Sequence, residues 1–251
     1  MPTPTMPGAE PFSASNGPNG VLLLHGFTGN PQSMRPLAEA FANAGFSVEL
    51  PLLPGHGTSP DDLATTRFGH WLEAAERAYQ SLAARSDKVA VSGLSMGGTL
   101  ALLLMIGHQE ICGGILVNPL VEPPAGSFIE MLQGILDSGS DRIPGIGSDI
   151  AKPGVTESAY DATPIAPALS LFEATEDLAG RLGELNAPIL LFSSRQDHVV
   201  ATSSGDLLVE RSSGPIERVF LERSYHVATL DFDQAEVEER SVSFALKAVA
   251  S

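Results

Sequence analysis

Cysteine is nearly missing from this 251-residue chain: Cys112 stands alone, so no intramolecular disulfide can form, which suits a reducing compartment. Cations are scarce too, with 14 Lys and Arg against 30 Asp and Glu and a formal net charge of −16. A surface of that sign repels nucleic-acid phosphates and anionic headgroups. It argues against a nucleic-acid partner and against a polybasic membrane anchor. No run of about 18 apolar residues occurs, so no transmembrane helix is expected. The opening MPTPTMPGAEPFSASNGPNG has no basic and no apolar block, so no signal peptide is expected either. A cytoplasmic protein follows as the default, with peripheral visits to a membrane left open. HExxH, paired CxxC and P-loop patterns are all lacking, and no metal or other cofactor is called for.

What is present is an alternation of short apolar runs and amphipathic stretches. VLLLHG, FSVEL, KVAVSG, GGILVNP, PILLF and IERVFLE read as strands, several of them apolar without a break, as in strands buried on both faces. Helical spacing recurs from Ser33 to Phe46, from about 68 to 84, and from about 234 to 249. The helix that opens with MGGTLALLL is apolar nearly all round and should be deeply buried. Strand and helix in turn predict a mostly parallel sheet with helices on both faces. The stretch 121–184 interrupts this rhythm. It shows no clear strand and carries apolar pieces such as FIEMLQGILD, so it is expected to be a cap inserted into a core made of 1–120 and 185–251.

GLSMG, residues 93–97, places Ser95 between two glycines at the junction of a buried strand and a buried helix. A serine on so sharp a turn projects its hydroxyl above the sheet, close to the first amides of the helix. A serine hydroxyl needs a base, and this turn is followed in the chain by an acid and then a histidine. Asp197 follows the strand PILLF and His226 follows IERVFLE, both at carboxyl ends of strands. The expected roles are Ser95 as nucleophile, His226 as base and Asp197 as the acid that orients it. His108 lies in the tail of the helix after Ser95, turns away from the site, and His198 adjoins the orienting acid too closely to serve it. Oxyanion donors are expected from the amides of Met96 and Phe27. His25 is expected to brace the Phe27 loop, His56 to line the pocket edge, and His70 to pack on a helix.

HGFTG, LPGHGTSP, GLSMGG, DHVV and SYHVATLD together resemble the α/β-hydrolase superfamily. More narrowly they resemble bacterial monoacylglycerol lipases and the small thermostable carboxylesterases, over residues 9–249. The cap stretch IGSDIAKPGVTESAYDATP resembles that of the lipases more than that of the plain esterases. The resemblance implies an α/β-hydrolase fold and hydrolysis of a monoacylglycerol, a small lipid ester, to fatty acid and glycerol. It further implies that Glu157 and Asn118 bind the glycerol head and that Ile146 borders the acyl channel. An apolar cap is also compatible with transient contact with a membrane or micelle surface. A general short-to-medium-chain carboxylesterase is the alternative, and a non-catalytic ligand binder on the same fold is a third.

Overall fold

A computed structural model describes residues 3–251. In chain order the elements are β1 (Phe12–Ala14), β2 (Gly20–Leu24), α1 (Arg35–Asn43), β3 (Ser47–Leu50), α2 (Pro60–Ala64), α3 (Phe68–Ala83), β4 (Val89–Leu94), α4 (Met96–Gly107) and β5 (Gly114–Val117). After them come α5 (Gly126–Asp137), β6 (Arg142–Pro144), β7 (Ala162–Pro164), α6 (Ile165–Arg181), β8 (Ile189–Ser194), α7 (Ser203–Arg211), β9 (Ile216–Leu221) and α8 (Gln234–Ala250). Seven strands form one sheet in the order β1-β3-β2-β4-β5-β8-β9, in which only β1 runs antiparallel to its neighbour.

The apolar runs behave as their composition predicts. In β2, Leu22 and Leu24 join the core on one face of the sheet while Val21 and Leu23 join the core on the other. The same division separates Ile189 and Leu191 from Leu190 and Phe192 in β8. Successive side chains of a strand point to opposite faces, so an unbroken apolar run is what a doubly covered sheet requires. The helix α4, apolar all round, is buried along nearly its whole length.

Between β5 and β8 the chain makes its long excursion. α5 buries only Leu132 and leaves Phe128 and Met131 exposed, whereas α6 sends Leu171 and Leu178 into the same core cluster as Trp71 and Leu100. Two strands form where the sequence pattern shows none: β6 and β7 pair antiparallel. Each has three residues and ends in proline, too short to leave an alternating pattern. Among the described residues no helix is long and apolar enough to cross a membrane.

Candidate active site

The turn from β4 into α4 is built by close approach. A Cβ on Gly97 would lie 2.6 Å from the carbonyl carbon of Leu24 and 2.8 Å from the carbonyl oxygen of His25, and closer still to that of Leu24. A Cβ on Gly93 would collide with the carbonyl of Gly97. These two glycines let β2, β4 and α4 converge, and the chain between them is forced through Ser95 at φ 56°, ψ −120°. A non-glycine residue there is strained by about 1–3 kcal/mol. The turn is pinned by the Ser95 amide donating to Val117 (3.1 Å) and by the Ser95 carbonyl accepting from Gly98 (2.9 Å) and Leu120 (3.2 Å).

His226 lies in the loop after β9, and Asp197 in the loop after β8. His226 Nδ1 donates to Asp197 Oδ2 at 2.8 Å. The other carboxylate oxygen, Oδ1, accepts the amides of Val199 and Val200, each at 2.8 Å. The acid is therefore fixed by its own loop, and it sets the tautomer that leaves His226 Nε2 free as a base. Ser95 and His226 line the same cavity. His198, the rival histidine, is 60% exposed and donates through Nδ1 to Asp149 (2.8 Å), whereas the His226 side chain is 8% exposed. His108 sits at the end of α4 against Glu76 (2.9 Å), away from the cavity.

The loop after β2 brings Gly26, Phe27 and Thr28 to the same cavity, with Gly26 directly beside Ser95. Among the described residues, neither the Phe27 nor the Met96 amide has a hydrogen-bond acceptor. The Met96 amide is the first of α4, where the helix dipole adds positive potential. The Met96 side chain is fully buried.

The loop has an aromatic support. His25 Nδ1 donates to the Gly26 carbonyl (3.0 Å) and its Nε2 accepts the Leu53 amide (3.2 Å), so both nitrogens are used. His56 does not line the pocket edge as expected. It is buried behind the loop, with ring centroids 5.1 Å from His25 and 5.3 Å from Trp71, and its Nε2 has no partner. Burial lowers the His25 imidazole to about 4 and pushes His56 well below its ordinary value. Both rings are neutral in the fold, whereas the unfolded chain takes up these protons near pH 6.5. Stability is thus unaffected above that pH and is lost as pH falls from about 6.5 toward 4, by about 3 kcal/mol for His25 alone. Urea denaturation between pH 7 and 5 checks this. His56→Phe should flatten the fall in stability, and an equal slope in both proteins would refute it.

The cavity has a volume of about 500 Å³. Its wall is mostly apolar, with Leu120, Leu132, Leu171, Phe128 and Phe172 among the lining residues, and Ile146 stands at its rim, 60% exposed. Glu157 brings its carboxyl to the same space. Burial pushes that carboxyl up from its ordinary range, while nearby His226 and the Ser33 hydroxyl pull it down. Asn118 is not brought to the cavity. Its Nδ2 donates to the His226 carbonyl (2.7 Å) and to Ser194 Oγ (2.9 Å), and its Oδ1 accepts the Ser194 amide (2.7 Å). The amide expected at the substrate head instead has its partners in β8 and the His226 loop, and ties β5 to both.

Sequence reasoning missed Asp149. Its Oδ2 accepts the amides of His226 (3.0 Å) and His198 (3.2 Å), and its Oδ1 accepts His198 Nδ1. It also missed Asp231, which follows His226 too closely to fit the expected chain order. The Asp231 carboxylate accepts the amides of Tyr225, Ala151 and Lys152 at 2.7–2.9 Å. An acid in a loop rich in Gly, Ser and Asp carries no local signal of such partners.

Comparison with known proteins agrees with this fold. The model of the alpha/beta hydrolase family matches residues 21–240. A thermostable monoacylglycerol lipase of Bacillus sp. (strain H-257) is 45% identical over 247 residues, 97% of each chain. A carboxylesterase of Bacillus subtilis (strain 168) is 27% identical over 95% of this chain and 96% of its own. Among solved structures, one from work on the metagenome-derived lipolytic enzymes LipS and LipT superposes with a TM-score of 0.93. It is 37% identical, over 97% of this chain and 100% of that one.

Proposed function

This chain belongs to the alpha/beta hydrolase family, and from that premise we propose that it hydrolyses the ester bond of monoacylglycerols through an acyl-enzyme on Ser95. The observation that carries the reading is one cavity, apolar along most of its wall, that holds Ser95, His226 and the Glu157 carboxyl together. A monoacylglycerol has a matching division into a long apolar chain and a small diol.

The steps follow from the positions. His226 Nε2 takes the Ser95 proton as Oγ attacks the ester carbonyl, and Asp197 stabilises the imidazolium that forms. The Phe27 and Met96 amides receive the developing oxyanion. His226 then protonates the departing glycerol oxygen, and a water, deprotonated by the same histidine, releases the fatty acid. In this reading 121–184 is a cap over the core of 1–120 and 185–251, rooted by α6. Glu157 accepts hydrogen bonds from the glycerol hydroxyls, and Ile146 borders the path of the acyl chain. The exposed Phe128, Met131 and Ile146 support shallow contact with a lipid surface, and the negative net charge keeps that contact away from anionic lipid. A cytoplasmic enzyme that visits membranes peripherally fits this pattern.

The test is a paired assay of 1-lauroylglycerol and methyl laurate, which share an acyl chain and differ in alcohol. Glu157→Ala should lower kcat/KM on the glyceride by about 10- to 100-fold, the worth of hydrogen bonds to a charged group, and affect the methyl ester far less. Equal rates on both esters, unmoved by the substitution, would leave a general carboxylesterase. Absence of turnover on any ester, p-nitrophenyl esters included, would leave a ligand binder.

A further inference from the structure

His226 is held at three points, by three different parts of the chain. Asp197 accepts a hydrogen bond from its ring N–H, Asn118 donates to its carbonyl, and Asp149 accepts a hydrogen bond from its amide. The third hold is of a different kind, because Asp149 belongs to the excursion between β5 and β8 rather than to the sheet.

That segment is fastened on both sides. The Asp149 carbonyl accepts the Val227 amide at 3.1 Å, so consecutive amides of the His226 loop end on one residue. The same carboxylate accepts the backbone and ring of His198, which directly follows Asp197. The His198 ring in turn packs edge-on against Tyr225, with centroids 4.5 Å apart. In the reverse direction, Asp231 of the His226 loop accepts the amides of Ala151 and Lys152. Ser148 Oγ accepts the Glu157 amide at 2.8 Å, which extends the fastening to the polar end of the cavity. Residues 148–152 therefore form a strut between the base, the acid loop and Glu157.

We infer that Asp149 is a positioning residue for the reaction: it sets the place of the His226 and Asp197 loops relative to each other, and so the aim of the base at Ser95. The inference rests on the reading of Ser95, His226 and Asp197 given above. Both loops leave the carboxyl ends of adjacent parallel strands, β8 and β9, and beyond the strand ends the sheet ladder no longer fixes their spacing. One carboxylate that accepts from both replaces it. Asp149 is itself one of the polar residues lining the cavity, but its loss leaves the apolar wall in place and should act on the reacting geometry more than on ester binding.

Three variants and two readouts decide the matter. Asp149→Ala should lower kcat on p-nitrophenyl esters by about 100-fold, as expected for a misplacement near 1 Å, and leave KM within about threefold. Inactivation by diethyl p-nitrophenyl phosphate, which also requires the base, should slow in parallel and still reach one label per chain. Full labelling shows that the folded site persists. Asp149→Asn retains an oxygen for the two backbone amides, and its amide can donate to the other tautomer of His198. It should restore kcat to within about threefold of wild type. Asp149→Glu keeps the charge but moves it by one methylene, and should lower kcat by about tenfold. It serves where the alanine variant does not fold.

The inference is overturned if Asp149→Ala, or Asp149→Glu in its place, keeps kcat within about twofold of wild type. A loss confined to KM, or an asparagine variant as slow as alanine, overturns it equally. These failures differ from failure of the underlying reading, in which the wild-type protein itself would neither turn over esters nor take the label.

Discussion

Ser95→Ala should lower kcat by at least about four orders of magnitude and leave the fold in place. The hydroxyl is the only protein group in the proposed mechanism that forms a bond to the substrate carbonyl. What would persist is the rate that the oxyanion amides and the cavity supply by themselves. The fold should survive because the backbone of the turn is held by main-chain bonds to Val117, Gly98 and Leu120, none of which uses the side chain. A second substitution separates chemistry from strain. Alanine at φ 56° keeps the unfavourable conformation, while Ser95→Gly relieves it. The glycine variant should therefore be about 1 kcal/mol more stable than the alanine variant in urea denaturation, although glycine gains entropy in the unfolded chain. Both should be inert. An alanine variant with substantial remaining turnover would mean that Ser95 is not the nucleophile. A glycine variant less stable than alanine would mean that the turn is not strained.

Gly97→Ala should be among the most damaging single-methyl changes in the protein, at about 4 kcal/mol or more, and the chain is expected to fold poorly or not at all. The added carbon would meet main-chain atoms of Leu24 and His25, not the flexible end of a side chain. Neither partner can retreat. Leu24 is in β2, which is paired on both sides by β3 and β4. The helix α4 is enclosed along nearly its whole length, so it cannot slide outward without opening the core. The same helix provides its own control. Gly107 has open space where a Cβ would go, and Gly107→Ala should be neutral or stabilising by up to about 1 kcal/mol. Thermal melts of the two variants would read this contrast directly. Equal stability would show that β2 and α4 are not in the close contact described. The damage should extend to function, because Gly97 is where the Ser95 turn touches the loop that carries Phe27.

Much of this is legible in the order of residues alone. The strands are doubly buried apolar runs, and β8 and β9 each end in a loop bearing a titratable group, Asp197 and His226. The exceptions share a cause. β6 and β7 are too short to leave a periodicity, and they form because distant segments meet. Asn118 follows a core strand, and only the arrival of β8 and the His226 loop gives its side chain these partners. His56 looks like a turn residue in LPGHGTSP, and it is the packing of Trp71 and His25 around it that buries its ring.

By itself, then, the sequence determined the order of strands and helices, the sharp turn at Ser95 and the chain order of Ser95, Asp197 and His226. Those depend on apolar period, on glycine where a Cβ has no room, and on which residue follows a strand, all local properties of the chain. The tertiary structure alone decided which other polar groups meet the loops that carry Asp197 and His226. Asp149 meets the His226 amide across 77 positions of sequence, and Asn118 meets the His226 carbonyl across 108. A hydrogen bond belongs to two groups at once, so a residue whose work is to accept one has no role until the fold delivers its partner.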